Sequence, residues 1–482
     1  MGARTGRQYI EGLKGRRNIW LDGQRVEDVT THPAFAEPIR AIAHLYDLQH
    51  RPDLLDVMTF PSPTTGNPVG TSYLIPRTQE DLIKRRKMHQ VWARATYGMM
   101  GRSTDFMNTQ VMAMAIHREF FARNDPRFGQ NIAAYYEHIR ENDLFLTHAL
   151  IDPQIDRSKN RAQQADPHLV LGIVGENERG VIVRGCKMIA TSAPFADELF
   201  VWPFGRFDPE ESPYAIVFAL PMATEGLHFI CREPFARPGQ GFAHPLSSRF
   251  DEMDTVVIFE DVLLPWERVF LKNDVRLFNN MYRDTHIRNY TAHQTAARLV
   301  TKMELVIGIL AELAETVGIG GFLHVQEKLG EVALHAETIR GLVRAGEADA
   351  WIREDGVLVP SFNPLQCTRL WGPEFYPRAI EILQILGAGG LLMSPASEAD
   401  LRGPMGDRIR KYYAGARGDT ERRLRLFKLA WDLCGSDFGS RHVLYERYYA
   451  GDPVRLKAGF YHEVDKTQCL ALVEELIGKK ES

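Results

Sequence analysis

The spacing of apolar residues changes period twice along this chain, and that double switch restricts it to a helix, sheet, helix order. From about residue 5 to 148 the apolar side chains recur at helical intervals: Tyr9 and Leu13, then Ile39, Ile42, Leu45 and Tyr46, then Val111, Met112, Ala115, Ile116 and Phe120. Thr31-His32-Pro33 and Phe60-Pro61-Ser62-Pro63 interrupt these helices, because proline lacks the amide hydrogen that a helix interior needs. Between about residues 153 and 271 the runs become short and β-rich, as in Val181-Ile182-Val183, Ile216-Val217-Phe218 and Val256-Val257-Ile258-Phe259, with Gly, Pro and Asp clusters between them. No long helical pattern alternates with these strands, so a closed or sandwiched antiparallel sheet is expected rather than a doubly wound parallel one. After residue 280 helical patterns return over 299–317, 325–350, 376–386, 422–433 and 466–477. The run Leu305-Val306-Ile307-Gly308-Ile309-Leu310 is apolar on more than one face, which predicts a bundle buried on two sides and used for oligomerisation.

Charge and cysteine content exclude several classes of function. Fifty-eight Lys and Arg against 62 Asp and Glu leave a net charge of −4 with no long basic block, which argues against nucleic acid and anionic membranes as partners. There is no apolar signal core at the N-terminus and no apolar run near the roughly 18 residues a membrane span needs, so a cytoplasmic protein is expected. The 5 cysteines are scattered without a Cys-x-x-Cys pair, which predicts no disulfide framework, metal site or iron–sulfur cluster.

One arginine stands out. Arg102 lies in Gly98-Met99-Met100-Gly101-Arg102-Ser103-Thr104-Asp105-Phe106, among methionines and an aromatic. A guanidinium is always charged and costly to bury alone, so it needs an anion: a substrate oxyanion, or Asp105 in a purely structural pair. His148, Gln154 and Arg157 lie close together where helix gives way to sheet, the kind of seam at which ligand clefts form; a helix-terminal histidine and a surface Asp156/Arg157 pair are the plainer alternative. His293, near the start of the first bundle helix, has the titration range of a base for a phenol or hydroxyl proton, or the role of a polar cap. The dinucleotide, P-loop, zincin and nucleophile-elbow motifs are all missing, which disfavours a Rossmann dehydrogenase, an NTPase, a zinc protease and a serine hydrolase.

Ordered blocks over nearly the whole chain carry a resemblance. Arg4-Thr5-Gly6, Asp28-Val29-Thr30-Thr31-His32-Pro33, Gly98-Met99-Met100-Gly101-Arg102-Ser103, Thr147-His148-Ala149, Pro245-Leu246-Ser247-Ser248-Arg249, Leu264-Pro265-Trp266-Glu267 and Leu444-Tyr445-Glu446-Arg447 resemble the 4-hydroxyphenylacetate 3-hydroxylase family, the oxygenase components of two-component flavin monooxygenases. The resemblance implies an α+β, acyl-CoA-dehydrogenase-like fold: an α-helical N-terminal domain (1–148), a middle β-barrel (149–275) and a C-terminal four-helix bundle (276–482) that builds a homotetramer. It also implies reduced FAD from a separate NAD(P)H-dependent reductase, O2 as co-substrate, and a flavin C4a-hydroperoxide that hydroxylates a phenol ortho to its hydroxyl. Arg102 and His148 match positions that hold the phenolic oxygen, and His293 matches the base of chlorophenol-oxidising relatives. Gln154, Arg157 and Thr191 match positions around the isoalloxazine, which His148 also reaches, while Arg447 and Tyr449 match C-terminal flavin contacts.

Two departures bear on the substrate. Phe106 stands where family members acting on 4-hydroxyphenylacetate carry a tyrosine, and Phe204-Gly205 falls within the loop where a close relative holds a carboxylate with a Ser-Thr pair. A phenol other than 4-hydroxyphenylacetate is therefore expected, with oxidative removal of a halide or nitro group as the alternative reaction. A hydroxyacyl-CoA dehydratase would need cluster-binding cysteines near Arg102 and after His293, and none is there. A non-catalytic flavin-binding relative is disfavoured because Arg102, His148, Arg157 and Thr191 are all present.

Overall fold

The computed structural model describes residues 2–15 and 17–478. Its middle region is built from two sheets. The larger runs in the order Gln24–Arg25, Ile19–Leu21, Leu227–Cys231, Asp254–Pro265, Gly180–Thr191, Gly172–Asn177, and the smaller runs Val269–Lys272, Ile216–Pro221, Glu198–Val201, Leu146–Ala149. Strand pairing is antiparallel except between Ile19–Leu21 and Leu227–Cys231 and between Leu146–Ala149 and Glu198–Val201. Among the described residues one isolated bridge, Ile151 to Met188, ties the segment after Leu146–Ala149 to the larger sheet.

The expected barrel is corrected by this topology: no closed barrel is found among the described residues, because each sheet ends on edge strands. A second correction concerns the first third of the chain, which is not wholly helical. Ile19–Leu21 and Gln24–Arg25 leave it to extend the larger sheet, and strands of three and two residues are too short to show a period of two.

The longest strands show why the apolar pattern forms a sheet. Along Asp254–Pro265, Thr255, Val257 and Phe259 point inward; Glu260 and Asp261 are exposed, and Val262 and Leu264 then resume the inward set. The pairing register shifts between Phe259 and Val262, and Asp261 adopts φ 52°, so one bulge moves the alternation to the other parity without exposing the apolar residues.

The C-terminal region is helical: Ile287–Val317, Leu323–Ala348 and Phe362–Gly387 pack on one another, and Thr420–Cys434 and Asp437–Tyr448 pack on the third. That third helix begins 14 residues before the 376 start expected from the sequence, because Pro373 and Pro377 interrupt the pattern without ending the helix. Leu365, Tyr376, Ile380 and Leu383 keep one face buried along its length, and this packing outweighs the two lost backbone donors.

Residues 98–103 are wedged between these layers. Gly98 has φ 71°, and a Cβ there would lie 2.7 Å from Lys302 Cβ; a Cβ on Gly101 would overlap the Tyr445 hydroxyl. Both glycines therefore let the backbone lie directly against the Ile287–Val317 and Asp437–Tyr448 helices, at the point where Arg102 turns toward the sheets.

Candidate active site

The Thr104–Ala115 helix is buried on every face, and Arg102 sits just before it. Its backbone amide donates to Glu252 Oε1 at 2.6 Å, and its guanidinium carbon lies 4.1 Å from the Phe106 ring centre and 5.2 Å from that of Tyr445. Nη2 makes one long contact, 3.5 Å to the Tyr449 carbonyl, and Nη1 is buried with no partner. Asp105 does not pair with Arg102. Its carboxylate is taken by His89 Nδ1 at 2.7 Å, the Gln294 amide at 3.1 Å and the Ser103 hydroxyl at 2.6 Å.

His148 lies in the edge strand Leu146–Ala149, its ring 5.6 Å from Phe106 and 5.5 Å from Trp202 between centres. Burial, and after it the charge of Arg102, holds its pKa well below the usual imidazole value, so the ring is neutral at physiological pH. Nδ1 is buried and unpartnered, as is Gln110 Nε2.

The three residues that carry these orphaned atoms all line one cavity of about 70 Å³, with Phe106, Trp202 and Phe204 among its other walls. Phe204 also lines two larger spaces: an outer vestibule of about 1210 Å³ and a cleft of about 410 Å³ that holds Gln154, Arg157 and Gly205. Gly205 has φ 101°, and Arg161 Nη2 donates to the Phe204 carbonyl at 2.8 Å, which fixes the turn that carries Phe204.

Some of the residues singled out in the sequence do not join this cavity. His293 Nε2 contacts Glu347 Oε1 at 2.7 Å, and the ring lies within a buried polar layer beside His89. The Thr191 hydroxyl donates to Asp254 Oδ1 at 2.8 Å and lines none of the three spaces; Arg447 is exposed and lines none of them either, whereas Tyr449 lines the inner cavity. Sequence reasoning passed over Gln110, Tyr282, Arg288 and Arg369, which also line it. Gln110 had a legible signal, since it lies four residues after Phe106, on the same face of the Thr104–Ala115 helix. Arg369 had none, because a distant helix delivers it.

The profile described as the N terminal part of 4-hydroxyphenylacetate 3-hydroxylase matches residues 5–271, and that of its C terminal part matches residues 278–478. The chain belongs to the 4-hydroxyphenylacetate 3-hydroxylase family. Among family members, the 4-hydroxyphenylacetate 3-monooxygenase oxygenase component of Thermus thermophilus is 44% identical over 96% of this chain and 95% of its own. A crystal structure of such an oxygenase component complexed with FAD and 4-hydroxyphenylacetate superimposes with a TM-score of 0.94 at 43% identity, covering 98% of each chain. An archaeal 4-hydroxybutyryl-CoA dehydratase from N. maritimus shares the fold, with a TM-score of 0.89 at 23% identity over 100% of this chain and 96% of its own.

Proposed function

We propose that this chain is the oxygenase component of a two-component monooxygenase that uses reduced FAD and O2 to hydroxylate a phenol ortho to its hydroxyl. One oxygen atom enters the ring and the other leaves as water. The observation that carries this reading is the pair of buried, unpartnered atoms Arg102 Nη1 and His148 Nδ1 on two residues that line one small cavity beside Phe106 and Trp202. A phenolic oxygen between them satisfies both. Arg102 lowers the phenol's pKa by favouring the phenolate, and the neutral His148 ring adds a hydrogen bond without adding charge. The buried rings of Phe106 and Trp202 give the phenol ring an apolar wall.

Gln154, Arg157, Thr191, Arg447 and Tyr449 would hold FAD, with His148 at its edge. The fit rests on the cleft that carries Gln154 and Arg157, two exposed side chains with no hydrogen-bond or ion-pair partner among the described residues and with donors suited to flavin ring atoms. Bound reduced FAD supplies the electrons that activate O2 for electrophilic transfer to the ring. A separate NAD(P)H-dependent reductase provides it. Supplying chemically reduced FAD, isotopically labelled O2 and a panel of phenols tests the reading: labelled catechol is expected, and quantitative H2O2 without catechol from any phenol would sink it.

The finer architecture belongs to the same proposal: an acyl-CoA-dehydrogenase-like fold divided at 148/149 and 275/276, with a four-helix bundle joining four copies. Its support is the Thr467–Ile477 helix, which has no buried residue and exposes Leu470, Leu472, Leu476 and Ile477. A fully active monomer in sedimentation would refute the tetramer. No described helix is long and apolar enough to cross a membrane, and the 5 cysteines are free, in keeping with a cytoplasmic setting.

Two consequences are directly measurable. Phe106→Tyr places a hydroxyl beside Arg102 and is expected to raise turnover of 4-hydroxyphenylacetate relative to other phenols; an unchanged ratio means that position 106 does not meet the phenol. Because the His148 pKa lies well below its ordinary value, His148 is expected to add no midpoint of its own to phenol affinity between about pH 6 and about pH 8. A midpoint in that window that disappears in His148→Ala would contradict the neutral assignment.

A further inference from the structure

Two acids on either side of Met253 hold different parts of the proposed centre. Glu252 is fully buried, and its Oε1 accepts the Arg102 amide at 2.6 Å, with the Gly101 amide also turned to the carboxylate. Asp254 Oδ1 accepts the Thr191 hydroxyl at 2.8 Å. One acid therefore fixes the backbone of the residue assigned to the phenolic oxygen, and the other fixes the side chain of a residue assigned to the flavin.

Both acids converge on Arg441, from the Asp437–Tyr448 helix. Its Nε and Nη2 donate to Asp254 Oδ2 and Oδ1 at 2.6 and 2.7 Å, a two-bond fork, and Nη1 makes a long contact of 3.5 Å to Glu252 Oε2. The acids depend on it unequally. Asp254 has a second cation in Arg232, whose Nε donates to Oδ2 at 3.0 Å, whereas Arg441 is the only ion-pair partner of Glu252 among the described residues. Burial pushes the Glu252 carboxyl up and Asp254 adds to that push, while Arg441 and the two amides oppose it. The same helix presents Tyr445 to the Arg102 guanidinium, 5.2 Å from ring centre to guanidinium carbon, so one element sets Arg102 from its backbone and from its side chain. Arg441 itself lines none of the three spaces. A fork fixes direction as well as distance, and transfer between two bound molecules is lost by about 100-fold when one is misplaced by about 1 Å.

We infer that Arg441 is a positioning residue which, through Glu252 and Asp254, holds Arg102 and Thr191 in one fixed relation and so aligns phenol with flavin. The inference rests on the phenol and FAD assignments above.

Single turnover tests it, with chemically reduced FAD, O2 and a saturating amount of the phenol that gives most catechol in the panel above. Enzyme is in excess over FAD, and catechol is counted against H2O2. Uncoupled turnover oxidises the flavin and leaves both oxygen atoms in H2O2, so the catechol fraction reads the alignment of the two sites rather than the fold's stability. Arg441→Gln is expected to lower that fraction by about fivefold or more, with FAD and phenol affinities within about threefold by calorimetry. Arg441→Lys, which keeps the charge without the fork, is expected to recover part of it. Glu252→Gln keeps an acceptor for the Arg102 amide and removes the charge that Arg441 meets; it should lower the fraction too, and the double variant should be no worse than Arg441→Gln alone. If Arg441→Gln does not fold, Arg441→Lys and Glu252→Gln carry the same comparison. Unchanged fractions, additive losses in the double variant, or a fall accounted for by lost FAD affinity would overturn the positioning role and leave the phenol reading standing. Wild type that yields no catechol from any phenol would remove both.

Discussion

Arg102→Ala is expected to weaken phenol binding by roughly 100-fold or more and to leave FAD affinity within about threefold, because a buried charge-assisted hydrogen bond contributes about 2–5 kcal/mol when one partner is removed. The selectivity follows from where the side chain is spent. Its backbone amide is held by Glu252 whatever the side chain is, so the chain path survives the substitution. The guanidinium itself has one long contact to the protein and one buried nitrogen with none, so little of the fold depends on it. Arg102→Lys keeps the charge but loses the fork and the stacking on Phe106 and Tyr445, and it should fall between wild type and alanine. Equal loss of phenol and FAD binding in Arg102→Ala would contradict the role assigned to this residue.

Glu446→Ala is expected to cost about 3–5 kcal/mol of stability, the largest single effect anticipated in this chain, because it strands two buried cations. Glu446 Oε1 accepts from Arg298 Nη1 at 2.7 Å and from Lys302 Nζ at 2.9 Å, Oε2 accepts from Arg298 Nη2 at 2.9 Å, and all three side chains are buried. Arg298 Nη1 also donates to the Gly98 carbonyl at 2.9 Å, so the network anchors the segment that leads into Arg102. The urea midpoint measures the loss, and an unchanged midpoint would refute the network's importance. A pH dependence goes with it. Burial alone would raise the Glu446 pKa, but Arg298 and Lys302 outweigh it and hold the carboxylate down to about 2. With the folded pKa depressed below an unfolded value of about 4.5, this stabilisation is fully present above that value and is lost as pH falls toward about 2. Glu446→Gln removes that acid arm, and its stability should vary less with pH over the same window.

Much of the site was legible as chemistry before it was legible as geometry. Arg102 could be read as a cation in need of an anion, set among methionines and an aromatic. The identity of the anion could not be read, because Asp105 stood three residues away as an equally good partner. Folding removed that ambiguity by bringing His89 and Gln294, from two other helices, onto the Asp105 carboxylate. His293 shows the reverse. Its position near a helix start looked available for proton transfer, and long-range packing committed it to Glu347.

Local sequence determined what depends on neighbours along the chain: the change of period that separates helical from sheet regions, the turn chemistry at Gly98 and Gly205, and the ordered motifs that identify the family. The tertiary structure alone decided that the sheets stay open, that Phe204 lines three spaces, and that Arg288 and Arg369 meet Arg102 around one cavity. The physical reason is range. Periodicity and turn preference are set within a few residues, whereas the partner of a buried charge is set by whichever distant segment packing brings within hydrogen-bonding reach.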